Sequence, residues 1–388
     1  MNVINLYEQY VLKTYTRTPL VITKGKGIKV WDENGVEYLD FFPGWAVSGI
    51  GHCHPRVVKA LQKQAGELIH VSNNFYSQNQ AKLAEVIIKN SYPGKVFFAN
   101  SGAEAVEGGI KLARKYGNPD RNEIISFKGS FHGRTLAAIT ATAQPKYSEP
   151  FKPLPGGFKY AEFSDIESVK SLISDKTCGI IIELIQGEGG INVATQEFVE
   201  YLRKITLEKD IVLIFDEVQT GMGRTGELFC YKNYGVTPDV MLLSKALGGG
   251  VPISAIVVAE KFKDILVPGT HAATFGGSPI VCAASLATFE AIEKENLLKN
   301  AIEMGEYLRG KLEELKTKYP VIKEVRGKAL MLGVELNTEG VEIINACFEK
   351  KLLINCTQGK VLRIMPPLTV TKKDIDKAVS IIDEVLAK

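Results

Sequence analysis

From about residue 55 to about residue 260 the chain alternates helix-patterned stretches with short, nearly continuous apolar runs rich in β-branched residues. The runs are 95–100 (KVFFAN), 123–127 (EIISF), 179–185 (GIIIELI), 211–218 (IVLIFDEV), 240–244 and 253–260. Helical segments such as 103–116 and 196–209 lie between several of them. A strand apolar along nearly its whole length must be covered on both faces, and sheets flanked by helices on both faces are mostly parallel. The expected architecture is α/β.

The flanks follow other patterns. Residues 20–40 read as a hairpin or meander with its turn at Glu33, Asn34 and Gly35. After Gly277 come two long helical patterns, short strands at 331–336 and 361–365, and a final helix from Lys372. At 388 residues the chain exceeds the roughly 250–300 at which single cores stop growing. We therefore expect residues 1–50 and 280–388 to combine into a smaller α+β domain beside a large domain at 51–279.

The net charge of +3 argues against a nucleic-acid partner, which calls for a basic stripe or domain. The six cysteines are scattered without a CxxC pair, so neither a disulfide framework nor a zinc site is expected. No apolar run reaches membrane-spanning length and the N-terminus lacks a signal-type apolar core. A soluble cytoplasmic protein with no membrane partner is the expectation.

Four segments could carry chemistry. Ser101, Gly102, Ala103 and Glu104 follow a strand and open a helix; they fit a capping box, and equally a phosphate site on the exposed amides of a helix start. Asp216 and Glu217 end the most hydrophobic strand, where α/β sheets bind ligands; they suit a metal, a protonated ring nitrogen, or plain structural bonding. The run from Gly221 to Gly226 matches GxGxxG, but no helix opens at its last glycine and no acid ends the next strand, so it reads as a turning loop. Lys245 ends an apolar strand before a glycine-rich turn; it is either a surface lysine or an amine whose confinement lowers its pKa and makes it a Schiff-base nucleophile. His52 and His54 lack further ligands at metal-binding spacing and read as loop or capping residues.

Together, FFANSGAEA (97–105), SFHGRT (130–135), IELIQGEGG (182–190), LIFDEVQTGMGRTG (213–226), SKALGGGVPIS (244–254), ATFGGSP (273–279), RGKALMLGVEL (326–336) and VLRIMPPL (361–368) resemble the class III, or ω-amino acid, aminotransferases. The motifs run in family order over nearly the whole chain. The resemblance implies a fold-type I enzyme dependent on pyridoxal 5'-phosphate, with a large mostly parallel sheet domain and a smaller α+β domain. It implies that Lys245 carries the cofactor as a Schiff base and that Asp216 pairs with its ring nitrogen. Phe131 and Val218 would sandwich the ring, Gln219 would approach its phenolic oxygen, and Ser101, Gly102 and Ala103 would hold the phosphate. Thr274 would reach the phosphate from a neighbouring subunit, implying a homodimer with shared active sites.

The same resemblance assigns Arg134 to the distal carboxylate of either substrate and Arg363 to the α-carboxylate of glutamate. Glu188 would neutralise Arg363 while an ω-amino substrate is bound and swing aside for glutamate. Small amino acids and 2-oxo acids are the implied substrates. The nearest likeness is to members that transfer the δ-amino group of N2-acetylornithine to 2-oxoglutarate in arginine biosynthesis. Other ω-amino donors (ornithine, 4-aminobutyrate, succinylornithine, a lysine-pathway analogue) and a mutase or decarboxylase reaction are the alternatives. The chain departs from the family at Trp45 and Ala273, both at substrate-contacting positions, and at Leu184 and Val106, which read as packing changes.

Overall fold

The computed structural model describes residues 3–388. A meander opens the fold: β1 (Ile22–Lys26), β2 (Lys29–Asp32) and β3 (Glu37–Asp40). Its expected turn is held by Asp32, whose Oδ1 accepts the N–H groups of Asn34 and Val36 at 2.9 and 2.8 Å. The middle of the chain supplies β4 (Gly94–Ala99), β5 (Glu123–Phe127), β6 (Phe158–Ala161), β7 (Thr177–Ile182), the short β8 (Ile185–Gln186) and β9 (Asn192–Val193), β10 (Val212–Asp216), β11 (Val240–Leu243) and β12 (Ser254–Ala259). The C-terminal part adds β13 (Ile322–Lys328), β14 (Met331–Leu336), β15 (Leu352–Leu353), β16 (Asn355–Thr357) and β17 (Val361–Ile364).

Seven strands form one sheet in the order β4-β12-β11-β10-β7-β5-β6. Six run the same way; β12 alone is antiparallel to both its neighbours. The reason is the connection: β11 and β12 are joined by a glycine-rich turn, whereas a parallel return needs a crossover of a dozen or more residues. Successive residues on the central strands feed two different cores. Ile180, Ile182, Leu213, Phe215, Met241 and Leu243 enter one, with the helices Pro55–Ala65, Gln78–Asn90, Gln196–Glu208 and Pro279–Lys294. Ile181, Val212, Ile214, Val240 and Leu242 enter the other, under the helix Gly102–Gly117. This two-sided burial is what the unbroken apolar runs require.

The helix Gly102–Gly117 carries Gly108 and Gly109 in its interior, at a cost of ~1 kcal/mol each relative to alanine. Packing explains them: a Cβ on Gly108 would meet Ile256 Cδ1 at 2.1 Å, and one on Gly109 would meet Leu242 at 3.3 Å. The bare face lets the helix lie directly on β11 and β12. Val106 and Leu184, two of the departures, are both fully buried in these cores.

Besides the β8-β9 pair, two four-stranded sheets complete the fold. One has the order β1-β2-β3-β15, with β15 parallel to β3 (Leu352 opposite Leu39), so the two ends of the chain share it. The other, β13-β14-β17-β16, is antiparallel. The last helix, Lys372–Leu386, starts on a reciprocal cap between Thr371 and Asp374. Strands β6 and β13 and the helix Val341–Glu349 lie outside the sequence expectations. Among the described residues, no helix is long and apolar enough to cross a membrane.

Candidate active site

Five parallel strands end on the same side of the large sheet, and each delivers chemistry-bearing residues just past its carboxyl end. Strand β4 leads to Ser101, Gly102 and Ala103; β5 to Phe131, His132 and Arg134; β7 to Glu183 and Glu188; β10 to Asp216, Val218 and Gln219; β11 to Lys245. Ligands in open α/β sheets sit in this position.

Lys245 is half-buried and holds φ 44°, a left-handed conformation that L-residues seldom adopt. Burial pulls its amine below the ordinary lysine range; Asp216, Glu188 and Glu183 oppose that shift and Arg363 reinforces it. An amine so placed is a better nucleophile towards a carbonyl than a surface lysine. The turn that carries it is tied back by Ser244 Oγ, which donates to Ile253 O at 2.9 Å.

Asp216 and Glu217 are adjacent but point to opposite faces, as consecutive strand residues must. Asp216 is 2.7 Å from His132 Nδ1, and its other oxygen accepts the Val218 N–H at 3.1 Å. Burial alone would lower the His132 pKa; the hydrogen bond and charge of Asp216, with Glu183 beyond, raise it instead. Glu217 turns away to accept the N–H groups of Cys230 and Tyr231 at 2.5 and 2.7 Å, and burial pushes its carboxyl up to about 7. It anchors the turn Cys230–Asn233 and takes no part in the site. Glu183, also raised chiefly by burial, accepts the Phe131 N–H at 2.9 Å and so fixes the loop that carries that ring.

The segments are packed edge to edge. Ser101 Oγ accepts the Glu104 N–H at 3.3 Å, and the Glu104 carboxylate reaches back to the Asn100 N–H at 2.8 Å, one residue before the reciprocal partner of a regular capping box. Gly102 lies so close to Val218 that a Cβ there would meet Cγ1 at 2.9 Å. Gly133, at φ +139°, stands equally close to Ala103. Gln219 is buried; its Oε1 has no donor among the described residues, and its Nε2 is 3.4 Å from Trp45 O.

Two arginines frame the site. Arg363 is 1% exposed and pairs with Glu188 Oε1 at 2.5 Å. Its Nε and Nη2 both donate to Asn355 Oδ1, at 2.8 and 2.5 Å, and its guanidinium lies 4.6 Å over the Phe42 ring. Arg134 is exposed, pairs with no carboxylate among the described residues, and lies 4.2 Å over Tyr147 and 5.4 Å from Phe131. Thr274 is exposed, and among the described residues no hydrogen bond or ring contact joins it to the rest of the site. Its neighbour Ala273 is held through its carbonyl by Asn73 at 3.0 Å.

His132, Glu183, Asn355 and Tyr147 were not singled out from the sequence. His132 lies inside the segment SFHGRT (130–135), but its partner is 84 residues away. The segment 221–226 is a loop as expected, and its Arg224 is buried, donating to Leu330 O and Pro366 O at 3.0 and 2.5 Å. His52 pairs with Asp40 at 2.8 Å and His54 with Glu295 at 3.2 Å, both bonds within the fold.

A family model described as aminotransferase class-III matches residues 10–386. The acetylornithine aminotransferase of Caldanaerobacter subterraneus subsp. tengcongensis is 51% identical over 386 residues, covering 98% of each chain. That of Methanocaldococcus jannaschii is 50% identical over 391 residues, covering 100% of this chain and 98% of its own. Among solved structures, an ornithine aminotransferase from Toxoplasma gondii, reported with partial occupancy of PLP at its active site, matches with a TM-score of 0.96. It is 34% identical and covers 99% of this chain and 93% of its own. An acetylornithine aminotransferase from Elizabethkingia anophelis matches with a TM-score of 0.89 at 31% identity, covering 99% and 98%.

Proposed function

The chain belongs to the class-III aminotransferases, and from that membership we propose that it moves the δ-amino group of N2-acetyl-L-ornithine to 2-oxoglutarate. The products are N-acetyl-L-glutamate 5-semialdehyde and L-glutamate, an exchange belonging to arginine biosynthesis in the cytoplasm. The observation that carries the reading is the Arg363–Glu188 pair: a buried cation for a carboxylate, closed by an internal carboxylate.

The residues present fit pyridoxal phosphate. Gln219 has a buried amide whose oxygen lacks a donor, and a half-turn of that amide offers Nε2 to a phenolic oxygen. Gly102, bare of a Cβ against Val218, lets the helix start approach the ring-facing residue. When bound, the cofactor supplies an electron sink for the carbon that loses its proton. Lys245 would hold it, with Asp216 at the ring nitrogen, Phe131 and Val218 on the ring faces, and Ser101, Gly102 and Ala103 at the phosphate.

Lys245 Nζ moves the proton at the reacting carbon, and burial favours the neutral amine that this requires. Asp216 would keep the ring nitrogen protonated, and His132 holds Asp216 in orientation. Arg134 takes the distal carboxylate of either substrate. Glu188 neutralises Arg363 while the donor is bound and yields it to the α-carboxylate of glutamate.

We extend the reading to a homodimer in which Thr274 serves the site of a second copy. Three large aromatic side chains, Phe75, Tyr76 and Phe275, are exposed, and Asn73 ties the segment before Phe75 to the Ala273 carbonyl next to Thr274. The division into residues 1–50, 51–279 and 280–388 belongs to the same reading, supported by the sheet that β3 shares with β15. Free ornithine is the second donor to consider, because the Toxoplasma gondii ornithine enzyme matches the fold at 0.96. Trp45 stands against it, because the family resemblance implies a tyrosine at that position in ornithine-specific members.

The test is the absorbance spectrum of the cofactor-loaded protein. Its cofactor band is expected to shift on adding N2-acetylornithine and return on adding 2-oxoglutarate. A band that ignores acetylornithine but answers to ornithine discards the donor and keeps the transferase.

A further inference from the structure

One hairpin holds both members of the Arg363–Glu188 pair. Strands β16 and β17 pair antiparallel with Asn355 directly opposite Arg363. Asn355 Oδ1 therefore meets the guanidinium from within the same sheet, taking Nε and Nη2 together. Glu188 takes Nη1 from the other side.

The Glu188 carbonyl and the two carbonyls after it are held, so the segment does not follow the side chain. The Glu188 carbonyl accepts Thr357 Oγ1–H and Gln358 Nε2–H, each at 2.6 Å. The Gly189 carbonyl accepts Asn192 Nδ2–H at 3.0 Å, and the Gly190 carbonyl accepts Arg326 Nε–H and Nη2–H at 3.0 and 2.7 Å. All three consecutive carbonyls are engaged. The Glu188 side chain keeps 21% of its surface exposed against 1% for Arg363, so the movable member of the pair is the carboxylate.

The guanidinium needs a holder of its own. When Glu188 turns aside, Arg363 loses its only charged partner among the described residues, and a long side chain with one anchor gone relaxes towards many rotamers. Asn355 prevents this without competing for the charge, because a carboxamide oxygen accepts hydrogen bonds but carries no net charge. The Phe42 ring, 4.6 Å away, supports the plane from one face. The guanidinium edge vacated by Glu188 then meets an incoming carboxylate already oriented.

We infer that Asn355 is a specificity-determining positioning residue. It presets Arg363 for the α-carboxylate of the amino acceptor pair, while Thr357 and Gln358 confine the switch to rotation of the Glu188 side chain. The inference deepens the proposed reading and rests on its assignment of Arg363 to that carboxylate.

The experiment compares wild type, Asn355→Ala, Asn355→Asp and Arg363→Lys as cofactor-loaded enzymes. KM and kcat are measured for each half-reaction, and glutarate, a five-carbon dicarboxylate without an amino group, is titrated calorimetrically. Losing the hydrogen bonds to a charged group should raise KM for glutamate and 2-oxoglutarate roughly tenfold or more in Asn355→Ala. Glutarate binding should weaken in parallel, with kcat and the KM for acetylornithine within about twofold of wild type. Asn355→Asp keeps the acceptor oxygen but neutralises Arg363 permanently, so it should show the same selective loss. That variant carries the test if the alanine variant does not fold.

Wild-type glutamate KM and glutarate affinity in both Asn355 variants, alongside a large loss in Arg363→Lys, overturn the inference and leave the Arg363 assignment standing. Equal losses in both half-reactions of the Asn355 variants also overturn it, because they describe a general defect. An Arg363→Lys enzyme with unchanged glutamate KM overturns the assignment itself.

Discussion

Arg363 and Arg134 each offer a guanidinium to the same site, and the protein treats them in opposite ways. Arg363 is sealed in the interior, bonded along two edges and neutralised by Glu188. Arg134 is exposed, has no carboxylate partner among the described residues, and is steadied only by aromatic faces. The difference matches what two substrates in turn demand. A carboxylate common to both can be met by a standing charge in solvent. A carboxylate present in only one needs a charge that can be cancelled, because an unpaired buried cation costs several kcal/mol (~3–5).

The largest expected effect separates the two directly. Arg363→Lys removes the fork and should cut kcat/KM for glutamate by ~100-fold, while the acetylornithine half-reaction falls far less. Arg134→Lys should lower both half-reactions by similar factors of ~10 or more. If Arg134→Lys selectively harms glutamate, the division of labour between the arginines is wrong.

Next in size is the lock on the inner arginine. Glu188→Ala leaves Arg363 permanently available, so the ratio of kcat/KM for glutamate to that for acetylornithine should rise ~10-fold. Unchanged relative efficiencies would remove the switch. A smaller effect belongs to the outer arginine: Tyr147→Leu deletes a cation–π contact worth ~0.5–1 kcal/mol at an exposed site, so KM for both substrates should rise by about two- to fivefold. A change confined to one substrate argues against shared use of Arg134.

The smallest effect on either substrate is expected at Glu217, whose carboxyl lies beside Asp216 in sequence but away from the site. Its folded-state pKa is raised to about 7 from 4.5 by burial. The folded protein therefore holds that proton more tightly than the unfolded chain. The stabilisation is fully present below about pH 4.5 and is lost as pH rises through about 7, up to ~3 kcal/mol. Glu217→Gln should leave both KM values unchanged and make unfolding midpoints in urea less dependent on pH between 5 and 8. Parallel curves for the two proteins would count against a titrating Glu217.

The central sheet was legible because β7, β10 and β11 are buried on both faces, which forces unbroken apolar runs into the sequence. Strand β13 (IKEVRGK) escaped because it is half exposed, and its charges hide the strand signal. Strand β6 has only four residues at the sheet edge, too few to show a period. Lys245, Asp216 and Arg363 stood out through their motifs. Asn355 and His132 did not, because each acts on a partner that is distant in sequence or reached only through pairing. Of the readings left open for Asp216 and Glu217, the two-residue period of a strand gives each its own, Asp216 facing the site and Glu217 bonded within the fold.

The hairpin behind Arg363 constrains this protein in chain length as well as in residue identity. Strand β16 is three residues long, and its turn passes through Gln358 and Gly359, both at positive φ (52° and 72°). Inserting or deleting one residue there would shift the register by one, turning Asn355 to the opposite face of the sheet and withdrawing the Gln358 bond from Glu188. Homologous chains that keep this acceptor chemistry should therefore show no gap between positions 355 and 363.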